Sequence, residues 1–159
     1  MIAVADTSAV CYLILIDEIG ILPNLFTRVL VPPAVVAELL HEDAPEAVRS
    51  WAAKLPHWVS VRENPIHGTA GMEKLQAGEK AAILLAESIQ ADTILLDEKS
   101  ARRVAAGRGL RVTGTLGVLS VAAAGGMLDL ATAIDRLMRT SFRCSPALLK
   151  ATLDRSRTQ

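Results

Sequence analysis

The chain has 159 residues, enough for one domain, and 51% of them are hydrophobic, which excludes a disordered chain of low apolar content. Lysine plus arginine is 17 and aspartate plus glutamate is 17, so no global basic excess exists to coat nucleic acid non-specifically. Five aromatics (Tyr12, Phe26, Trp51, Trp58, Phe142) are too few for a surface of stacked bases, and two cysteines, Cys11 and Cys144, make neither a disulfide framework nor a zinc site.

A reduced, cytoplasmic setting is the simplest expectation from that cysteine usage. Apolar runs are broken by charge or proline within about 18 residues, the minimum for a membrane span. The opening MIAVADTSAV has no basic n-region and meets Asp6 early, so it does not read as a secretory signal.

In chain order, Ile2–Ala5 is a short apolar run that stops at Asp6, and residues 8–16 carry a helical apolar face that Gly20 is expected to end. Arg28–Val31 is a second strand, closed by Pro32-Pro33; Pro33 suits the first turn of a helix over 34–41. That helix continues or restarts after Pro45 as far as Lys54. Residues 58–61 form a third strand, and 64–70 a loop with Pro65 and Gly68. Gly78 opens a helix over 79–90 that is apolar on nearly every side, the mark of a buried helix. Residues 93–96 are a fourth strand, ending in Asp97, followed by a basic helix over 99–106. Residues 110–113 are a fifth strand, 116–124 an apolar helix stopped by Gly125-Gly126, and 129–153 two short helices around 140–146. One domain over residues 1–150 with a tail over 151–159 is expected.

Strands alternating with helices predict βαβ units, and unbroken apolar strands such as TILL predict a parallel sheet covered on both faces. In that architecture strand C-termini and the N-termini of the following helices share one edge, where ligands bind. Asp6, Glu38, Glu79 and Asp97 all map to that edge. Four carboxylates close together repel one another and raise their own pKa values. A divalent cation resolves the repulsion, and oxygen ligands without cysteine or histidine select Mg2+ or Mn2+.

Each acid also has a structural reading. Asp6 can cap the helix that follows. Glu38 points away from the stripe of Val35, Val36, Leu39 and Leu40 and can be a solvated flank. Glu79 is favoured at a helix start by the macrodipole alone. Thr7 and Ser8 can bond a carboxylate or a phosphate, or cap. Lys99, Arg102 and Arg103 can share a helix face and contact phosphate, with Arg108 and Arg111 close behind, or form a solvated basic face. Thr115 reads as a helix cap more than as a pocket residue.

Over residues 1–149 the sequence resembles the PIN-domain nucleases, in the compact branch of VapC-type toxins. The resemblance is carried in order by VADTSAVCYLILI, PPAVVAELL, GEKAAILLAESIQADTILLDEKSARRVA and GLRVTGTLGVLSVAAAGGML. It implies a three-layer α/β sandwich around a five-stranded parallel sheet, a pocket for one or two Mg2+ or Mn2+ ions, and hydrolysis of RNA phosphodiesters. It matches Asp6, Glu38, Glu79 and Asp97 to the acidic quartet and Thr7 and Ser8 to the hydroxyls beside the first acid. One departure stands out: many relatives carry Thr or Ser shortly before the fourth acid, and here Leu95 and Leu96 stand there. The resemblance further implies the toxin of a type II pair and a neighbouring antitoxin that blocks the acids. A homodimer is expected from the apolar helices, with residues 8–25 and the helix from Ala34 as candidate surfaces.

Three other readings stay open. An aspartyl phosphatase built on Asp6 wants a second aspartate two residues on, where Ser8 stands. A phospho-accepting receiver wants paired acids at the first strand's end. A catalytically silent PIN-like scaffold would bind RNA or a protein without cutting.

Overall fold

The computed structural model describes residues 1–157. Five strands, β1 (Ile2–Ala5), β2 (Arg28–Val31), β3 (Val59–Val61), β4 (Thr93–Leu95) and β5 (Val112–Thr113), form one sheet in the order β3-β2-β1-β4-β5. Every pairing is parallel. The helices are α1 (Thr7–Leu15), α2 (Leu22–Leu25), α3 (Pro33–Leu39), α4 (Glu46–Ala53), α5 (Ala77–Ile89), α6 (Lys99–Gly107), α7 (Thr115–Ala124), α8 (Leu130–Met138) and α9 (Pro146–Arg157). No single helix among the described residues is long and apolar enough to cross a membrane.

The two-residue period of the strands sorts the core into two layers. Val4 is in register with Leu30 and Ile94. All three pack, with Leu96, against Ala82, Ile83 and Leu85 of α5 and Ala101 and Ala105 of α6. The alternate residues Ala3, Ala5, Val29, Val31 and Leu95 face the other way, onto Ala9 and Leu13 of α1, Leu119 of α7 and Leu137 of α8. The result is the three-layer α/β sandwich with a five-stranded parallel sheet that the sequence predicts. Residues 81–86 of α5 are all buried, which explains a helix with no polar face. Each fully buried leucine there contributes about 1.5–3 kcal/mol.

Several boundaries differ from the sequence reading. Helix α1 ends at Leu15, because Asp17 turns the chain with a left-handed φ of 61°; Gly20 lies inside a 3₁₀ turn, Ile19–Ile21, that leads into α2. Strand β5 is half the expected length, since a sheet edge with one partner demands little pairing. The helix expected over 34–41 runs from Pro33 and stops at Leu39; of the two continuations the sequence allows, the chain takes the restart, as α4 after Pro45. Helix α9 runs through residue 151, and Leu149 and Leu153 pack against the larger core cluster.

Chain direction fixes the location of the site. From β1 the chain works outward to β2 and β3, then returns to β4 beside β1 and leaves in the other direction to β5. The reversal lies between β1 and β4, and crevices at the carboxyl ends of such strand pairs are where open α/β sheets bind ligands. Ala5 is in register with Leu95, so Asp6 and Asp97 emerge on either side of that crevice.

Candidate active site

Asp6 follows the last residue of β1, its N–H bonded to the Leu95 carbonyl at 3.1 Å. It occupies the N-cap position of α1, yet its side chain makes no capping bond. The residue is 2% exposed, and its Oδ1 is buried without a hydrogen-bond partner among the described residues. A buried charge in that state is costly. Burial pushes the carboxyl up to about 7, the Thr7 N–H pulls it partly back, and the charges of Glu79, Glu38 and Asp97 push it further up. All three acids expected at this edge therefore lie close enough to act on Asp6.

Glu38 sits in the last turn of α3, the helix that Pro33 opens at its first position. Its carboxylate is half-buried and bonded on both oxygens. The Thr7 hydroxyl donates to Oε1, and the Gly78 N–H donates to Oε2 at 3.2 Å. The approach of α5 to Glu38 requires glycine: a Cβ on residue 78 would stand 2.2 Å from Glu38 Oε1. Thr7 thus bonds a carboxylate, one of the three roles open to it from sequence.

Glu79 is the third residue of α5, and its Oε1 accepts the Gln76 N–H at 2.9 Å in a capping box. The helix-start reading of Glu79 is correct and does not displace the other one. Glu79 is buried, which raises its pKa; the Gln76 N–H opposes this, and Glu98 and Glu38 add to it. Asp97 and Glu98 leave β4 in different directions: the first acts on Asp6 and the second on Glu79.

Asp97 is held from the β5 side, away from β1. The Thr115 N–H donates to Oδ1 at 2.7 Å and the Thr115 hydroxyl to Oδ2 at 2.6 Å. The hydroxyl absent before Asp97 is supplied by Thr115, 18 residues later. Gly114 leaves room for this clasp, since a Cβ there would meet Arg102 Nη1 at 2.7 Å and Asp97 Oδ1 at 3.1 Å. Arg102 in turn donates to the Leu96 carbonyl at 2.7 Å, fixing the backbone beside Asp97.

Two cavities open on this rim. The smaller, about 390 Å3, is lined by Asp6, Thr7, Ser8, Glu38, Asp43 and Gln76 among others. The larger, about 770 Å3, starts at Asp97, Lys99 and Arg102. Arg103 is exposed and lines neither cavity. Arg108 is spent elsewhere, bonded to Glu87 and to the carbonyls of Gly68 and Ala70 at 2.6–2.7 Å. Gly78 and Gly114 are the site residues that sequence reasoning passed over; the only signal was a glycine directly before Glu79 and before Thr115.

The donor set is chemically suited to a hard divalent cation: carboxylate oxygens only, gathered around a buried oxygen that has no partner. The side chains do not close on an ion as they stand. Among the described residues, no three Asp, Glu, His or Cys side chains form a metal-holding group. The bonds to Glu38, Glu79 and Asp97 leave lone pairs on each carboxylate, so they orient these groups without exhausting them.

In comparison with known proteins, residues 2–158 match the family model DUF3368: PIN domain. No curated protein matches the chain.

Proposed function

The chain belongs to the PIN-domain family, whose members are generally nucleases that use divalent metal ions, and on that premise we propose that it is a Mg2+- or Mn2+-dependent endoribonuclease. The observation that carries the reading is the buried, unpartnered Asp6 Oδ1 at the strand-order reversal, with three further acids acting on it. Asp6 and Asp97 would hold the cation directly. Glu38 and Glu79 would hold it through water or orient the attacking water. A bound divalent ion supplies Lewis-acid activation of water and offsets charge on the phosphoryl oxygens.

The protein's own groups do the positioning. Thr7 and Gly78 fix Glu38, and Thr115 fixes Asp97. Glu79 keeps Oε2 for a water while Oε1 caps α5. A water oxygen attacks phosphorus, the bond to the leaving ribose oxygen breaks, and a proton passes to that oxygen.

RNA as the substrate, and the role of a toxin held by an antitoxin, rest on the ordered sequence resemblance. A homodimer has in its support Leu15 and Leu40, 40% and 44% exposed, near the two surfaces singled out from sequence. The carboxylate spacing favours one rival, the silent scaffold that binds without cutting. Incubation of purified protein with RNA and Mn2+ separates them. Cutting should appear, stop with EDTA, and be lost in a folded Asp6→Asn variant. Undiminished cutting by that variant rejects the site, and no cutting with either ion favours the scaffold.

A further inference from the structure

We propose that the larger cavity is a binding track for single-stranded RNA, leading from Asp97 along the free edge of β5 to α9. The proposal rests on the nuclease reading for its substrate and deepens it by giving the flanking nucleotides a place.

Charge points to a polyanion. Among the described residues four cations line the cavity, Lys99, Arg102, Arg143 and Arg155, and the one acidic side chain is Asp97. The chain as a whole carries no net charge, so this is a local concentration of positive charge. Lys99, Arg102 and Arg143 make no salt bridge among the described residues. The smaller cavity has the opposite character, with Asp6, Glu38 and Asp43 and no Lys or Arg. A phosphodiester chain is therefore attracted to one side of the rim and reaches the acids from there.

The shape suits a strand rather than a compact ligand. β5 is the outer strand of the sheet, and the cavity runs between it and the face of α9 that carries Leu148, Thr152 and Arg155. Its floor includes Val121 and Leu148, 58% and 46% exposed, an apolar surface for sugar and base faces. Arg143 is held in place by bonds from Nη1 to the carbonyls of Thr140 and Phe142, at 3.1 and 2.8 Å. Phe142 is itself buried edge-on against Tyr12, with ring centroids 5.2 Å apart. Phosphate contacts of this kind position a strand without reading its sequence.

The test is binding without cutting. A labelled single-stranded oligoribonucleotide is titrated with the full chain in EDTA, followed by fluorescence anisotropy between about 50 and about 200 mM salt. The Lys99→Gln/Arg143→Gln double variant should bind more weakly. Its plot of log affinity against log salt should be shallower by about 1.4, two phosphate contacts at roughly 0.7 each. Arg136→Gln, exposed on α8 and outside both cavities, should match the parent. Affinity and slope unchanged in the double variant overturn the track, as does an equal loss in Arg136→Gln. Binding of an acidic peptide that the double variant weakens, with no oligonucleotide binding by the parent, also overturns it, in favour of a protein partner. The two readings fail separately. Groove-dependent binding with no cutting in any metal removes the nuclease and keeps the track; cutting by a double variant whose binding is unchanged does the reverse.

Discussion

Replacing Asp6 by Asn should stabilise the metal-free protein at neutral and alkaline pH. The folded state holds the Asp6 proton up to about 7, against an ordinary 3.8. Below pH 3.8 the carboxyl is neutral in both states and costs nothing. Between 3.8 and about 7 the unfolded chain releases the proton and the folded chain keeps it, so the cost of folding grows with pH. Above about 7 the cost is complete. The interval is about three pH units, and at about 1.36 kcal/mol each it comes to about 4 kcal/mol. A domain of this size has on the order of 5–15 kcal/mol in all, so the effect is large. Asn keeps the shape and removes the charge. Urea unfolding of both proteins in EDTA, followed by the fluorescence of the adjacent Trp51 and Trp58, measures the difference from pH 4 to pH 8. The Asn variant should gain several kcal/mol at pH 8, and the gain should shrink steadily toward pH 4. An Asn variant less stable at pH 8, or a difference that is flat with pH, would show that Asp6 is not a strained acid. Adding Mn2+ should then stabilise the parent by RT ln(1 + [L]/Kd) and leave the variant unmoved.

Gly78→Ala should separate stability from activity: alanine is about 1 kcal/mol better inside a helix, yet its Cβ displaces the Glu38 carboxylate, so metal-dependent cutting should fall at least tenfold, by roughly 1.4 kcal/mol of barrier, with thermal stability kept. A variant that cuts normally would show that Glu38 need not stay where Thr7 and Gly78 hold it. Thr115→Val removes the hydroxyl bond to Asp97 but keeps the N–H bond; it should cost about 1–3 kcal/mol in unfolding experiments and weaken Mn2+ binding by calorimetry, and Thr115→Ser should restore both. Arg108→Ala releases the loop carbonyls of Gly68 and Ala70, so limited proteolysis should nick residues 62–76 in the variant before the parent; an unchanged cleavage pattern would mean the loop is held by other contacts.

The sheet was legible because its strands are short, apolar and stopped by acids or prolines, and because α5 has no polar face to confuse with a surface helix. The positions of Asp6 and Asp97 followed from direction alone, since a parallel sheet puts every strand end on one edge. Glu38 was harder. Its helical phase places it off the apolar stripe, and only the approach of α5, 40 residues away in sequence, turns that flank inward. Periodicity cannot register a contact of that range. Thr115 was legible as a helix start but not as the clasp on Asp97, because the partner follows the neighbouring strand, 18 residues earlier in the chain. Lys99, Arg102 and Arg103 looked alike as a basic run; the structure separates them, since α6 turns Lys99 and Arg102 toward Asp97 and leaves Arg103 outside both cavities.

The four carboxylates are treated unequally, and the inequality has a consequence for how the site can work. Glu38, Glu79 and Asp97 each accept at least one N–H or hydroxyl donor, so their positions are fixed before anything binds. Asp6 is the one with a buried oxygen left bare, at the point where the other three charges act together. A donor on Asp6 Oδ1 as well would have satisfied the protein and made a stable, inert cluster. Leaving Asp6 unsatisfied concentrates the unfavourable energy on a single oxygen beside the crevice, where a cation can offset it. On the proposed reading, loading that oxygen would be tied to loss of the Asp6 proton, and a bound divalent ion would restore the stability forgone in the empty protein.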